Sequence, residues 1–257
     1  MRFARNYFTE WIIRRRKVSM LPWIIATICA FFVKGLCGFA NTLVFTSILS
    51  FSVNNASISP VELLLGYPGN LILAWKERRQ INWNICGPLA ALVMIGSIPG
   101  AFFLKNANTT VVKLIFGVVI ILIGAEMLVR EFYPRKMKQS KVFTVLVGVL
   151  SGILCGLYGV GALLGAYLSR VTDDSHAFKG NISVVFFIEN TFRIILYSCW
   201  GIITLEAAKQ AAMLLVFMLG GLGLGIFAGQ RIPEKIVKRL VIVLLMISGV
   251  VLIFQSI

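Results

Sequence analysis

Acidic residues and histidine are scarce in this chain. There are ten Asp and Glu residues and one histidine among 257 positions, and none of the five cysteines forms a Cys-x-x-Cys pair. A lone His176 excludes a histidine-rich metal site, and the cysteine spacing fits neither zinc nor redox chemistry. No Ser/His or Cys/His constellation is present for nucleophilic catalysis. Cys29, Cys37, Cys86, Cys155 and Cys199 fall in or beside apolar runs and read as buried reduced thiols. The chain is therefore expected to be no enzyme and to carry no metal or cofactor.

Charge of either sign is also sparse. Charged residues are 14% of the chain, against about a quarter in soluble domains. Uncharged apolar blocks cover 21–33, 35–61 and 85–104, and hydrophobic residues make up 58%. A membrane span needs about 20 mostly apolar residues. The chain reads as a multi-pass protein of a cell membrane, of the bacterial inner-membrane type.

The net charge of +15 sits in the connectors: Arg14 to Lys17, Lys76 to Arg79, Arg130 to Lys141 and Arg231 to Arg239. Short basic loops between apolar spans are topology signals facing anionic lipid, so no nucleic-acid partner is expected. Residues 1–19 lack a small-residue cleavage site. They read as a basic cytoplasmic segment, either an interfacial helix carrying Phe8, Trp11 and Ile12 or a solvated tail.

Eight apolar segments follow, near 20–51, 57–75, 84–104, 110–130, 141–169, 178–200, 206–229 and 234–255. They divide the single transporter domain, 20–257, into a first repeat (20–130), a linker (131–140) and a second repeat (141–257). Gly35 and Gly38 match Gly156 and Gly159. The stretch from Pro99 to Gly124 aligns without gaps onto that from Leu224 to Gly249, with Val112-Lys113 matching Val237-Lys238. The first segment of each repeat is too long for one straight crossing, since about 30 residues of helix span about 45 Å against a core of about 30 Å. It must be tilted, broken or re-entrant, and the glycine motifs mark where. The expected fold is all-α, with each repeat broken at its glycine motif.

Loop charge points to a cytoplasmic N-terminus and a cytoplasmic 131–140 linker if every segment crosses once. The same count puts Arg231, Lys235, Lys238 and Arg239 outside, a conflict that disappears if the fifth segment is re-entrant. Parallel and inverted repeats both remain open.

Few ionisable residues fall inside spans. Glu189 and Arg193 lie one helical turn apart in the sixth segment. They form a structural pair, an anion site through the guanidinium fork, or both. Lys34 precedes the first break and either enters a cavity or snorkels. Glu62 and Glu126 lie nearer span ends, with Glu62 and Glu189 the candidates for proton coupling. Asn70 and Asn190 hold repeat-related positions and can bind an oxyanion or join helices. Gly35, Gly38, Gly156, Gly159 and Gly161, with Asn41, either pack helices closely or expose backbone N–H groups and half-helix dipoles to an anion.

The duplicated Gly35-Leu-Cys-Gly-Phe-Ala-Asn and Gly156-Leu-Tyr-Gly-Val-Gly-Ala motif resembles that of the TauE/SafE sulfite-exporter family, also called the toluene-sulfonate uptake permeases. So do Pro99-Gly-Ala and Asn190-x-x-Arg193-x-x-x-Tyr197 with Gly201 after it. The glycine runs depart from that pattern: Ala40-Asn41-Thr42 and Gly161-Ala162-Leu163 replace a longer glycine run with its proline. The resemblance implies secondary transport of sulfite, sulfonates or related anions, coupled to a proton gradient. A passive anion channel, or a permease for a non-sulfur anion, is the alternative. A homo-oligomer is left open.

Overall fold

The computed structural model describes residues 20–49, 55–106, 141–159, 161–172 and 174–254. Between 107 and 140 it describes 114, 117, 118, 121, 122, 124, 125, 128 and 129. The basic segment 1–19, the cap at Asn108-Thr109, Glu126 and the linker 131–140 lie outside the described residues.

The described chain is helical. The helices are α1 (Met20–Cys37), α2 (Asn41–Leu49), α3 (Asn55–Lys76), α4 (Trp83–Asn106), α5 (Lys141–Tyr158), α6 (Ala162–Val171), α7 (Ser175–Cys199), α8 (Leu205–Gly229) and α9 (Glu234–Phe254). A 3₁₀ turn, Arg78–Gln80, lies between α3 and α4, and the described residues between 114 and 129 are also helical. Among the described residues, four helices are long and apolar enough to cross a membrane: α1, α4 over Trp83–Phe103, α7 and α8. Large apolar side chains such as Ile95, Leu122, Val216 and Phe254 stand exposed on the outer surface, where lipid would cover them.

The first and fifth apolar segments are each split at the glycine motif. Gly38 has φ +86° and Gly159 has φ +70°. These left-handed values end α1 and α5 in the manner of a C-terminal glycine. Gly38 N–H donates to Lys34 O at 2.7 Å and Gly159 N–H to Cys155 O at 2.8 Å, the equivalent bond in both places. Ala40 is also left-handed, at φ +70°, a conformation uncommon for a residue with a Cβ.

After each break the chain doubles back. Phe45 of α2 returns to Trp23 near the start of α1, with ring centroids 5.9 Å apart. Tyr167 of α6 returns to Thr144 near the start of α5, with their hydroxyls 2.9 Å apart. Both over-long segments are therefore hairpins.

Glycines seat the hairpins against the rest of the bundle. A Cβ on Gly35 would lie 2.5 Å from Leu222 O and 2.6 Å from Ile226 N, so α1 and α8 touch backbone to backbone. Gly156 meets Ser97 O, Ala101 N and Gly100 in the same way, joining α5 to α4. Gly249 lies at another such crossing, against Ile121 and Gly117, and not in an ordinary stretch of span.

The contacts order the helices by direction. Ser59 reaches Tyr197 at one end of α3, and Glu77 reaches His176 just past the other, so α3 and α7 are antiparallel. Asn82 and Cys86 meet Asn181 while Ser97 meets Glu189, so α4 runs parallel to α7. Leu92 faces Gly148 and Ser97 faces Gly156, so α5 runs parallel to α4. Ile28 faces Gly221 and Leu36 faces Gly229, so α1 runs parallel to α8. The start of α7 (Asp174 to Lys179) and the end of α8 (Ile226 to Gln230) line the same cavity, so α8 runs against α7, and α1 and α5 enter from opposite faces.

That placement makes a testable prediction. In a thiol-free background, Met20→Cys and Lys141→Cys, at the starts of α1 and α5, are expected to react with a membrane-impermeant maleimide from opposite sides. Labelling of both positions in intact cells, with neither blocked, would contradict the hairpin geometry.

Candidate functional site

The hairpin tips overlap in the middle of the bundle. Between them is a cavity lined by both breaks and by α3 and α7, with Lys34, Asn41, Thr42, Glu62, Asn70, Gly159, Gly161, Asn190 and Arg193 in its wall. The described structure thus brings nine residues from four regions of the sequence to one place, eight of them expected from sequence. Thr42 was not among those eight. Its signal lay in its position, since it follows Asn41 at the start of α2 and directs its hydroxyl inward. Phe39 and Phe186 complete the apolar part of the wall.

Burial makes this a high-energy cluster unless it is fully paired. Lys34, Glu62, Glu189 and Arg193 are each 2% exposed or less. Asn41 Nδ2 and Thr42 Oγ1 both donate to Glu62 Oε1, the latter at 2.7 Å. Lys34 Nζ donates to Asn41 Oδ1 at 2.9 Å. Arg193 Nη2 lies 3.9 Å from Glu62 Oε2, and its Nε lies 3.6 Å from Glu189 Oε1. Two cations and two carboxylates thus balance formally. Removing one member would leave an uncompensated buried charge.

Arg193 also holds the second break in place. Its Nη1 donates to Cys155 O, and Tyr197 Oη donates to Gly156 O at 2.7 Å. These carbonyls belong to the last turn of α5, where the helix dipole leaves negative charge, and Cys155 O accepts from Arg193 in addition to Gly159 N–H. The guanidinium reaches Asn190 Oδ1 at 3.1 Å as well. The pairing with Glu189 and the position on the cavity wall are therefore both present.

The remaining expected residues are placed differently. Gly35 and Gly156 sit at helix crossings one turn before the breaks, outside the cavity wall. Gly38 packs against Lys179 of α7. Glu189 lies behind the guanidinium, where Ser97 Oγ donates to its Oε1 at 3.1 Å while Oε2 has no hydrogen-bond partner. Asn70 faces the cavity with its Oδ1 buried and unpaired. Among the described residues, no group of His, Cys, Asp and Glu is arranged to hold a metal ion.

A second, larger cavity of ≈ 250 Å³ opens beside Lys76, Glu77, His176, Lys179 and Gln230. Gly35 is in its wall and Lys34 is in the wall of the first, so the tip of α1 separates the two. Phe39 reinforces that partition through an edge contact with Phe178 at 5.6 Å.

A family model described as "Sulfite exporter TauE/SafE" matches residues 23–252. The match runs from the first hairpin through α9. The chain belongs to the sulfite exporter TauE/SafE family. This places it among multi-pass membrane transporters, in agreement with its long apolar helices. No curated protein and no solved structure gives a match.

Proposed function

We propose that this TauE/SafE protein is a secondary transporter of small sulfur-containing anions, with sulfite and sulfonates as the substrate class. The carrying observation is the convergence of both glycine breaks on one buried cavity that holds Lys34 and Arg193. Family membership favours a sulfur oxyanion. The starts of α2 and α6 add helix N-terminal dipoles, which favour negative charge.

Alternating access through inverted repeats is the mechanism the helix directions support. The second helices of the two halves, α3 and α7, are antiparallel. Gly35 on Gly225 in the first crossing repeats Gly156 on Gly100 in the second, which are the pairs matched in sequence. The tip of α1 stands between the site and the larger cavity, so withdrawal of that tip would open the site to one face. The second hairpin, entering from the opposite face, would serve the other. Basic residues at 76–79, 231 and 235 lie near one end of the bundle, which we assign to the cytoplasm. By that assignment the start of α1 faces the opposite side from the start of α5, against the sequence expectation of a cytoplasmic N-terminus.

The test is labelled sulfite in proteoliposomes, with sulfate, chloride and methanesulfonate as competitors. Expected are saturable uptake and acceleration of labelled influx by internal unlabelled sulfite. Flux that never shows such counterflow would favour a channel. Absence of sulfite flux and of sulfite competition would overturn the substrate assignment.

A further inference from the structure

We propose that Glu62 is a tethered anion occupying the substrate's place, so that sulfite binds only as Glu62 takes up a proton and gives up its hydrogen-bond donors. This rests on the reading of the central cavity as the substrate site. The donors that an oxyanion would use there are already committed. Asn41 Nδ2 and Thr42 Oγ1 converge on the single atom Glu62 Oε1, and Lys34 backs Asn41 from behind. Arg193 faces the other carboxylate oxygen at 3.9 Å. That arrangement, two neutral donors from the start of α2 and a guanidinium, is an oxyanion site with a side-chain carboxylate in it.

Space and charge lead the same way. The residual cavity measures ≈ 20 Å³, room for about one water molecule. Sulfur and its oxygens do not fit unless the carboxylate moves aside. The cluster is formally neutral with Lys34, Arg193, Glu62 and Glu189 all ionised. Adding a monoanion to so buried a group would leave one uncompensated negative charge, which is strongly unfavourable. Protonation of Glu62 restores neutrality. The carboxylate takes one proton from hydronium: a carboxyl O–H bond forms, one hydronium O–H bond breaks and water is released, while Asn41 and Thr42 turn from it to the anion.

The groups facing Glu62 are Lys34 from α1, Cys155 from α5, and Arg193, Glu189 and Tyr197 from α7. The helix α2 contributes only the neutral Asn41 and Thr42. Glu189 is separated from the cavity by the guanidinium and held by Ser97. It counts in the charge balance without competing for the anion's donors.

The experiment compares sulfite affinity of the wild-type protein and Glu62→Gln across pH. Sulfite's own protonation is common to both and cancels in the ratio of Kd values. Expected is wild-type affinity falling up to about tenfold per pH unit relative to Glu62→Gln, the slope for one linked proton. Calorimetry in two buffers of different ionisation heat should show one more proton taken up per sulfite by wild type. In proteoliposomes, Glu62→Gln should exchange sulfite yet fail to accumulate it under a pH gradient. Parallel pH profiles, or accumulation by Glu62→Gln, would overturn the proposal. If Glu62→Gln does not fold, Thr42→Val takes its place. Loss of one donor to the carboxylate should move the pH at which affinity falls upward, and an unmoved profile counts against the idea. Sulfite binding without linked protons defeats the coupling alone. No sulfite binding by monodisperse wild-type protein defeats the site reading beneath it.

Discussion

Arg193→Ala is expected to abolish sulfite binding and to destabilise the protein by about 3–5 kcal/mol, the cost of leaving a buried partner charge unpaired. The guanidinium lies between Glu62 and Glu189 and also holds Cys155 O and Asn190. Its removal leaves two buried carboxylates and takes one donor from Cys155 O at the end of α5. Because one side chain serves both stability and the cavity, alanine alone would not separate the two roles. Arg193→Lys does. Lysine keeps the charge but has a single point donor in place of a planar fork. A hydrogen bond to a charged group contributes about 1.5–3 kcal/mol, so sulfite affinity should fall about tenfold or more in folded Arg193→Lys protein. Unchanged affinity together with reduced thermal stability would make Arg193 a structural pin and nothing more.

The parts of this fold that were legible in the sequence are those set by backbone chemistry. Gly38 and Gly159 needed left-handed φ, and only glycine adopts that freely, so the motif located both breaks. Burial of charge in an apolar span is costly enough that Arg193 and Glu189 had to face partners, and they do. The reversal of direction after each break was less accessible. Phe45 returning to Trp23, and Tyr167 to Thr144, are contacts between residues whose side chains carry no directional signal. Loop charge therefore admitted crossing and re-entrant segments alike, and the hairpin geometry moves the charge conflict from 231–239 to the basic residues that precede α1.

The division of labour among the glycines was likewise hidden. Gly35 and Gly156 share a motif with Gly38 and Gly159, yet the first pair seats helices and the second ends them. The difference depends on which helix lies opposite, Gly225 and Ala101 in these cases, and that is tertiary information. In sequence Glu62 lies near a span end, with nothing to tie it to the first glycine break. In the structure, Asn41 and Thr42 reach it from the start of α2. Their spacing from Glu62 in sequence is 21 and 20 residues, which no local pattern links.

Gly159→Val is expected to eliminate sulfite binding while leaving the bundle assembled. Two effects combine at this position. The backbone sits at φ +70°, where a β-branched residue is strained by about 1–2 kcal/mol or more. A Cβ there would also lie 2.9 Å from Glu62 Oε2, 3.1 Å from Arg193 Nη1 and 3.1 Å from Thr42 Cγ2. Valine's two methyl groups extend beyond that Cβ, so the cavity that holds about one water would hold none. Gly38→Val acts on the other tip. Its Cβ would press on Lys179 Cα at 3.2 Å and Cγ at 2.9 Å, shifting the break that carries Asn41 and Thr42, so affinity should fall there too. Gly223→Val is the control, because Gly223 is a helical position in α8 with nothing within 4 Å of an added Cβ. Its sulfite affinity should match wild type, whereas Gly249, pressed against Gly117, would report packing damage instead. The measurement is sulfite titration of purified, monodisperse protein. Wild-type affinity in Gly159→Val would place the anion outside the cavity between the breaks.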